Sequence, residues 1–249
     1  MLSIDDATTL PLLYHLNSEP WLNLEAYADS SCEVQYKEMA AEGASIALPY
    51  TQSASPLRTL LHARWSCRQY QQRLMPLETV AWLLEGAYGI TRLTYYQSNQ
   101  AFCARTVPSA GGLYPLEIYA AARHVTGIAD GLYHYNILHH RLEPLAAGAL
   151  SQEIGAYLMA QYFLENANLV LFLSAVFART LKKYGPRGYR YILLEAGHCA
   201  QNICLLATEQ GLGTLCVGGF QDTKLNQALC LDGRTEAVIY CVGIGYAAA

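Results

Sequence analysis

The stretch from Arg190 to Gln210 constrains this chain more than any other. It carries few charges and ends at Gly211 and Gly213, which reads as one long helix with a glycine stop. A helix apolar over nearly its whole circumference must be covered on most sides. It therefore belongs in a core or at a subunit interface. Just before it, Leu169 to Ala178 is an apolar run broken only by Ser174. The run is too short to cross a bilayer and reads as a buried strand.

The remaining elements follow from punctuation and periodicity. Ser55 and Pro56 open a short helix through Ala63, with serine as N-cap and proline at the first position. Pro76 and Glu78 open a second helix, Leu77 to Tyr88, closed by Gly89. Strands are predicted at Leu116 to Arg123, Leu132 to Asn136, Arg141 to Pro144, Thr214 to Val217 and Ala237 to Val242. A helix is predicted near Ser151 to Leu164, and helical stretches around Leu22 to Glu42. Helices and strands alternate without a βαβ rhythm, so the fold class is α+β.

Composition bounds the function. The chain has 249 residues, of which 53% are hydrophobic and 14% charged, enough for one domain with a large core. The net charge of −4 comes without any Lys/Arg cluster, so there is no footprint for nucleic acid. The low charge and 19 tyrosines fit burial both in a core and against a second subunit. Asp5 and Asp6 are unlike the start of a secretory signal, and the chain is expected to be cytoplasmic with no membrane partner. The eight cysteines include no C-x-x-C pair and are expected to be buried, reduced thiols.

Three clusters can carry chemistry. Arg64-Trp65-Ser66-Cys67-Arg68 sets two guanidiniums around a small hydroxyl at the end of a capped helix. Two planar, permanently charged forks suit a phosphate dianion; a solvated helix face is the plainer use. Pro108-Ser109-Ala110-Gly111-Gly112-Leu113-Tyr114-Pro115 makes a rigid loop of little bulk. A flat aromatic cofactor can lie against such backbone and take hydrogen bonds from its N–H groups; the alternative is a tight turn before the next strand. In Val217-Gly218-Gly219-Phe220 the glycines answer no secondary-structure need and point to a close backbone approach. No G-x-G-x-x-G follows an opening strand, so there is no dinucleotide-binding Rossmann unit.

Together these clusters resemble the nitroreductase superfamily. Arg64, Ser66 and Arg68 look like its N-terminal phosphate-binding motif. Pro108, Ser109 and Ala110, with Gly111 after them, look like its loop beneath the flavin ring. Gly218 and Gly219 look like the segment whose backbone N–H faces flavin N5. Longer runs are similar to the SagB-type dehydrogenases: 105–117, 131–135, and 185–191 leading into Glu195-Ala196-Gly197-His198-Cys199-Ala200-Gln201-Asn202. Tyr14-His15 resembles a signature of the same subgroup. The match covers roughly residues 55–245.

The resemblance implies a nitroreductase-like α+β fold with a central, mostly antiparallel sheet flanked by helices. It implies a homodimer with one FMN per active site, in a pocket built by both subunits. Residues 51–249 would be the FMN-binding domain, and residues 1–50 an N-terminal extension packing on it or on the partner subunit. In one respect the sequence departs from the family, which usually places a lysine or arginine after the last strand. No cation follows Arg234 here, so the phosphate would rest on Arg64 and Arg68, with Arg105 and Arg190 as candidates to help.

Lys183-Tyr184 is similar to the pair proposed as catalytic in azoline dehydrogenases. Those enzymes oxidise a thiazoline or oxazoline ring on a peptide or carrier-bound substrate to the azole. A carbon-bound proton must leave as a hydride departs, and it needs a base within reach. A lysine in an apolar pocket becomes neutral more readily, and Tyr184 can orient it or relay the proton. A solvated loop with one ring packed down is the plainer reading. The implied partner is an enzyme that makes the azoline, a cyclodehydratase or a peptide synthetase. Two other functions suit the same fold: an NAD(P)H-dependent nitro or quinone reductase, and a flavin-binding protein without turnover. His198, Gln201 and Asn202 are expected to be buried on the long helix, satisfying backbone or flavin polar atoms.

Overall fold

A computed structural model of the chain describes residues 9–19, 45–50, 55–95, 101–147 and 154–248. Its centre is the apolar run. β6, Leu169–Val176, pairs with β3, Leu116–Ala122, on one side and with β8, Glu236–Gly245, on the other. Beyond β3 lie β4, Gly131–Asn136, and β5, Arg141–Ala147; beyond β8 lies β7, Gly213–Val217. The order is β5-β4-β3-β6-β8-β7, and every neighbouring pair is antiparallel. The α+β class and the antiparallel central sheet are as the sequence leads one to expect.

β6 is apolar on both sides because the sheet is covered on both faces. Leu169, Leu171, Leu173 and Ala175 face a core shared with two helices, α3 (Leu77–Tyr88) and α6 (Arg187–Glu209). Val170 and Phe172 face a second core with Leu158, Leu164, Phe220, Leu225 and Leu229. Successive strand residues point to opposite faces, so a doubly covered strand loses the polar alternation. Ser174 is the exception, and its hydroxyl donates to Glu236 Oε1 at 2.6 Å.

The apolar run does not stay extended to Ala178. A helix, α5 (Phe177–Tyr184), begins inside it and is the main element that the sequence reading leaves out. Gly185 closes α5 at φ 55°, and the long helix begins at Arg187 rather than Arg190. Gly188 lets the two helices meet: a Cβ there would lie 3.2 Å from Thr180 O and 3.1 Å from Leu181 Cδ2. At the far end of α6, Gly211 at φ 69° donates to Thr208 O, while Leu212 N–H donates to Ala207 O. This pair of bonds is the Schellman stop expected of the glycine.

The other elements are α1 (Thr9–Asn17), α2 (Pro56–Ala63), α7 (Asp222–Ala228), a single turn α4 (Ile154–Tyr157), and a separate hairpin of β1 (Ile90–Tyr95) with β2 (Ala101–Arg105). α1 lies against α5 and α6, with His15 Nδ1 3.0 Å from Tyr189 Oη. The hairpin was not anticipated. The helix expected from Ser151 to Leu164 breaks at Met159 and Ala160, both at positive φ, and 151–153 lie outside the described residues. The stretches around Leu22 to Glu42 lie outside them too. Ser55 stands at the N-cap of α2 without a side-chain cap bond. Seven described cysteines are free, but Cys230 is exposed rather than buried.

Both borders of the sheet are modified. β5 carries Pro144, opposite Tyr133, where the register shifts. β7 is flanked by the 66–67 segment, where Ser66 bridges Thr214 and Cys67 N–H donates to Thr214 O at 2.8 Å.

β8 ends beneath backbone. A Cβ on Gly245 would lie 3.1 Å from Asn168 N and 3.3 Å from Ala167 Cα, atoms that cannot rotate away. Gly245→Ala should therefore destabilise the chain by about 1–3 kcal/mol through overpacking. Thermal unfolding would show this as a Tm lowered by several degrees, and an unchanged Tm would contradict the close approach.

Candidate functional site

The loop between β2 and β3 is built from unusual backbone. Gly111, Gly112 and Tyr114 all have positive φ, at 64°, 65° and 45°. Glycine adopts this region freely, but tyrosine does so only when its surroundings hold it. Here they do: Tyr114 N–H donates to Ser109 Oγ at 2.9 Å, and Tyr114 Oη accepts Arg105 N–H at 3.1 Å. The Arg105 guanidinium lies over the rings of Tyr88 and Tyr114, 4.4 and 4.9 Å from their centroids. Pro108 is exposed at the head of the loop, and Ser109, Ala110 and Gly111 are half-buried.

α5 brings Lys183 and Tyr184 to this loop. A Cβ added to Gly111 would lie 2.6 Å from Tyr184 Oη and 2.8 Å from Lys183 Nζ. The two polar ends occupy the space that any side chain at 111 would need. Tyr184 is held edge-on by Tyr191, with ring centroids 5.1 Å apart, and Lys183 Nζ sits 5.4 Å from the Tyr184 ring centre. The pair is thus on a helix and not in a loop. Lys183 is exposed, so the chain alone does not build the apolar pocket expected around it.

A second group forms at the other border of the sheet. Arg64 is the C-cap of α2 in extended conformation, so the segment from Arg64 to Arg68 is not a helix face. It runs beside β7, with Cys67 buried against Gly213 and Arg64, Ser66 and Arg68 outside. Gly218 and Gly219 follow β7 directly. An added Cβ would meet nothing nearer than 3.7 Å at Gly218 and 3.8 Å at Gly219. A side chain at either position would make only ordinary contacts, with Tyr240 at 218 and Met159 at 219, so no atom of the described residues demands glycine there.

The expected cofactor residues therefore fall into two groups. Leu116 and Val217, at the sheet ends of the two loops, lie three strand spacings and four residues apart in register, about 20 Å. One flat ring cannot rest on both loops of one chain. Arg105, a candidate helper for the phosphate, belongs with the Ser109 group and not with Arg64. Arg190 is exposed in the first turn of α6. His198 and Gln201 are exposed, not buried, on the outer face of that helix; Asn202 is half-buried.

Sequence reasoning missed Glu195. It is buried beneath the loop and accepts two hydrogen bonds at 2.5 Å, from Ser109 Oγ and Tyr88 Oη. The available signal was a charge within the apolar stretch of the long helix, since a buried charge needs partners. Next to the loop, a cavity of about 370 Å³ is lined by Arg105, Tyr114, Glu117, His134, Asn136 and Arg179. Glu117 bonds both Arg179, at 2.6 Å, and His134, at 3.1 Å, while Glu143 lies 3.3 Å from the other nitrogen of His134. Hydrogen bonding to Glu117, aided by Glu143, raises the imidazole above its ordinary pKa.

A three-layer α+β fold with a glycine-rich loop at each end of its sheet defines the class. Residues 61–246 match the profile of the nitroreductase family, and the chain belongs to that family of oxidoreductases. A protein of Methanocaldococcus jannaschii described as a nitroreductase is 38% identical over 173 residues, 70% of this chain and 83% of that one. The microcin B17-processing protein McbC of Escherichia coli is 30% identical over 148 residues, 53% of this chain and 51% of McbC. The chain thus spans about half the length of McbC. A chain of the E. coli microcin synthetase McbBCD complex, solved with truncated pro-MccB17 bound, superposes with a TM-score of 0.66 at 24% identity. The superposition covers 94% of this chain and 84% of that one, and at this identity it speaks for the fold. The microcin relative upholds the resemblance to the SagB-type subgroup.

The raised His134 pKa has a defined sign. Protonated His134 supports the folded chain fully below the ordinary imidazole value, and the support is lost as the pH rises through the lifted value. The stability gap between wild type and His134→Gln should therefore narrow from about pH 6 to about pH 9. Denaturant unfolding at the two pH values checks this; a gap that widened would reverse the assignment.

Proposed function

We propose that this protein is an FMN-dependent dehydrogenase that oxidises a thiazoline or oxazoline ring, carried by a peptide-derived substrate, to the azole. The observation that carries the reading is the meeting of Lys183 Nζ and Tyr184 Oη at the Cβ position of Gly111. It puts a base and a hydroxyl on the loop that the family resemblance places beneath the flavin ring.

Arg64, Ser66 and Arg68 would hold the FMN phosphate, and Gly218 and Gly219 would present backbone to the ring. Pro108, Ser109, Ala110 and Gly111 would lie beneath it. Bound FMN supplies a two-electron acceptor for hydride. The chain's own part is the proton: Lys183 would take it from the ring carbon, and Tyr184 would fix the direction of Nζ. Lys183 is exposed in the single chain, so substrate and a second subunit would be what covers it.

The separation of about 20 Å between the two loops supports a homodimer in which each ring is held between subunits. The outer face of α6 supports it as well. Leu193 and Leu194 are 40% and 54% exposed, and Gly197 beside them has nothing within 4 Å of an added Cβ. A bare glycine inside a helix costs about 1 kcal/mol relative to alanine, and close packing of a second helix gives it a use. The match to McbC, and the assembly of the related fold with a synthetase and a pro-peptide, support a peptide substrate and an azoline-forming partner.

The deciding test is anaerobic reduction of the FMN-loaded protein. A thiazoline-bearing peptide should bleach the yellow absorbance, and Lys183→Ala should slow the bleaching by about 100-fold or more, the range of general-base loss. Bleaching by NADH or NADPH alone would establish the reductase instead. For the dimer, Gly197→Ala should lower the mass seen by light scattering toward that of one chain. If α6 faces only solvent, the same substitution would raise stability by about 1 kcal/mol and leave the mass unchanged.

A further inference from the structure

Two hydroxyls beneath the loop act as relays. Ser109 Oγ accepts the Tyr114 N–H at 2.9 Å and donates to Glu195 Oε2 at 2.5 Å. Tyr88 Oη accepts the Leu116 N–H at 3.3 Å and donates to Glu195 Oε1 at 2.5 Å. Each hydroxyl has one proton, and each amide can only donate, so both protons are directed at Glu195. The side chain must accept on both oxygens. A carboxylate does so; an amide cannot.

Glu195 is 2% exposed, and a charge so buried needs compensation. Arg105 supplies it, stacked on the rings of Tyr88, whose hydroxyl bonds the carboxylate, and of Tyr114. Its Nε and Nη1 have no hydrogen-bond partner among the described residues, so its charge acts through the rings and the local field. Burial lifts the Glu195 carboxyl above its ordinary pKa, against the pull of Ser109, Tyr88 and Arg105.

We propose that Glu195 is the positioning residue of the 109–116 loop, its carboxylate tying Tyr114 through Ser109 and Leu116 through Tyr88. The left-handed Tyr114 and the glycines before it are fixed at both ends by one side chain of α6. What this does for a flavin rests on the function proposed above; the latch itself does not. Ser109 then serves the loop twice, its hydroxyl joining Tyr114 to Glu195 and its carbonyl accepting the Gly112 N–H at 3.0 Å.

Hydrogen exchange of the full-length protein tests the latch without any turnover. E195Q keeps the shape but sets an N–H₂ against a hydroxyl that already accepts an amide. Exchange at Tyr114 and Leu116 should speed up by about tenfold or more while β6 and β8 amides stay unchanged. Glu195→Asp, which keeps the charge, should restore part of the protection. If E195Q does not fold, Ser109→Ala should release Tyr114 alone and Tyr88→Phe should release Leu116 alone. Loop amides unchanged in the variants that fold would overturn the proposal. In FMN-loaded protein, E195Q should shift the visible flavin band and lower kcat with little change in KM. A wild-type chain that takes up no FMN, while E195Q still frees the loop, would support the latch and sink the flavin reading.

Discussion

Burial of one stripe of α6 against the middle of the sheet organises the molecule. Ile192, Glu195, Ala196, Cys199, Ala200, Ile203, Cys204 and Ala207 recur at the three- and four-residue spacings of one helix face and are all buried. The small ones let the helix lie close to the sheet, where it meets β3, β7 and β8. At 23 residues the helix is about 34 Å long. One end therefore lies beside α5 and the 109–116 loop, and the other delivers the chain into β7. Through Glu195, two turns into the helix, it holds the 109–116 loop, and beyond its last turn it leads into β7, the strand that Gly218 and Gly219 follow.

Much of this was legible because local signals agreed. α2, α3, β3, β6, β8 and the glycine stop after α6 follow from period, caps and punctuation, and all lie close to where the pattern puts them. α5 was hidden because the apolar run passes from strand into helix without a polar break, and periodicity cannot mark that boundary. The Glu195 latch was hidden for another reason. Ser109 and Tyr88 lie 86 and 107 residues from Glu195, and no spacing rule reaches so far. The motif carried Ser109 correctly to the loop but gave no hint that its hydroxyl turns inward.

Charge is spent differently in the two halves. In the loop half, half-buried Arg105 and buried Glu195 share one network of aromatic rings and hydroxyls, so geometry is set before any ligand arrives. In the β7 half, Ser66 and Arg68 stay exposed on backbone that β7 has already aligned. A rigid platform and a solvated clamp are complementary. In the function proposed above, the first would set where a flat ring lies, and the second would give up little hydration until a phosphate replaced the water.

The treatment of the sheet borders has a consequence for the protein in a crowded solution. Pro144 supplies no N–H along β5, and Glu143 and Arg141 place charges on the same strand. The outer edge of β7 is partly taken by Ser66 and Cys67. Six strands rich in valine, leucine and alanine would otherwise be a template for adding more. With one border interrupted and the other partly covered, strand-by-strand growth into fibrils finds few points of attachment.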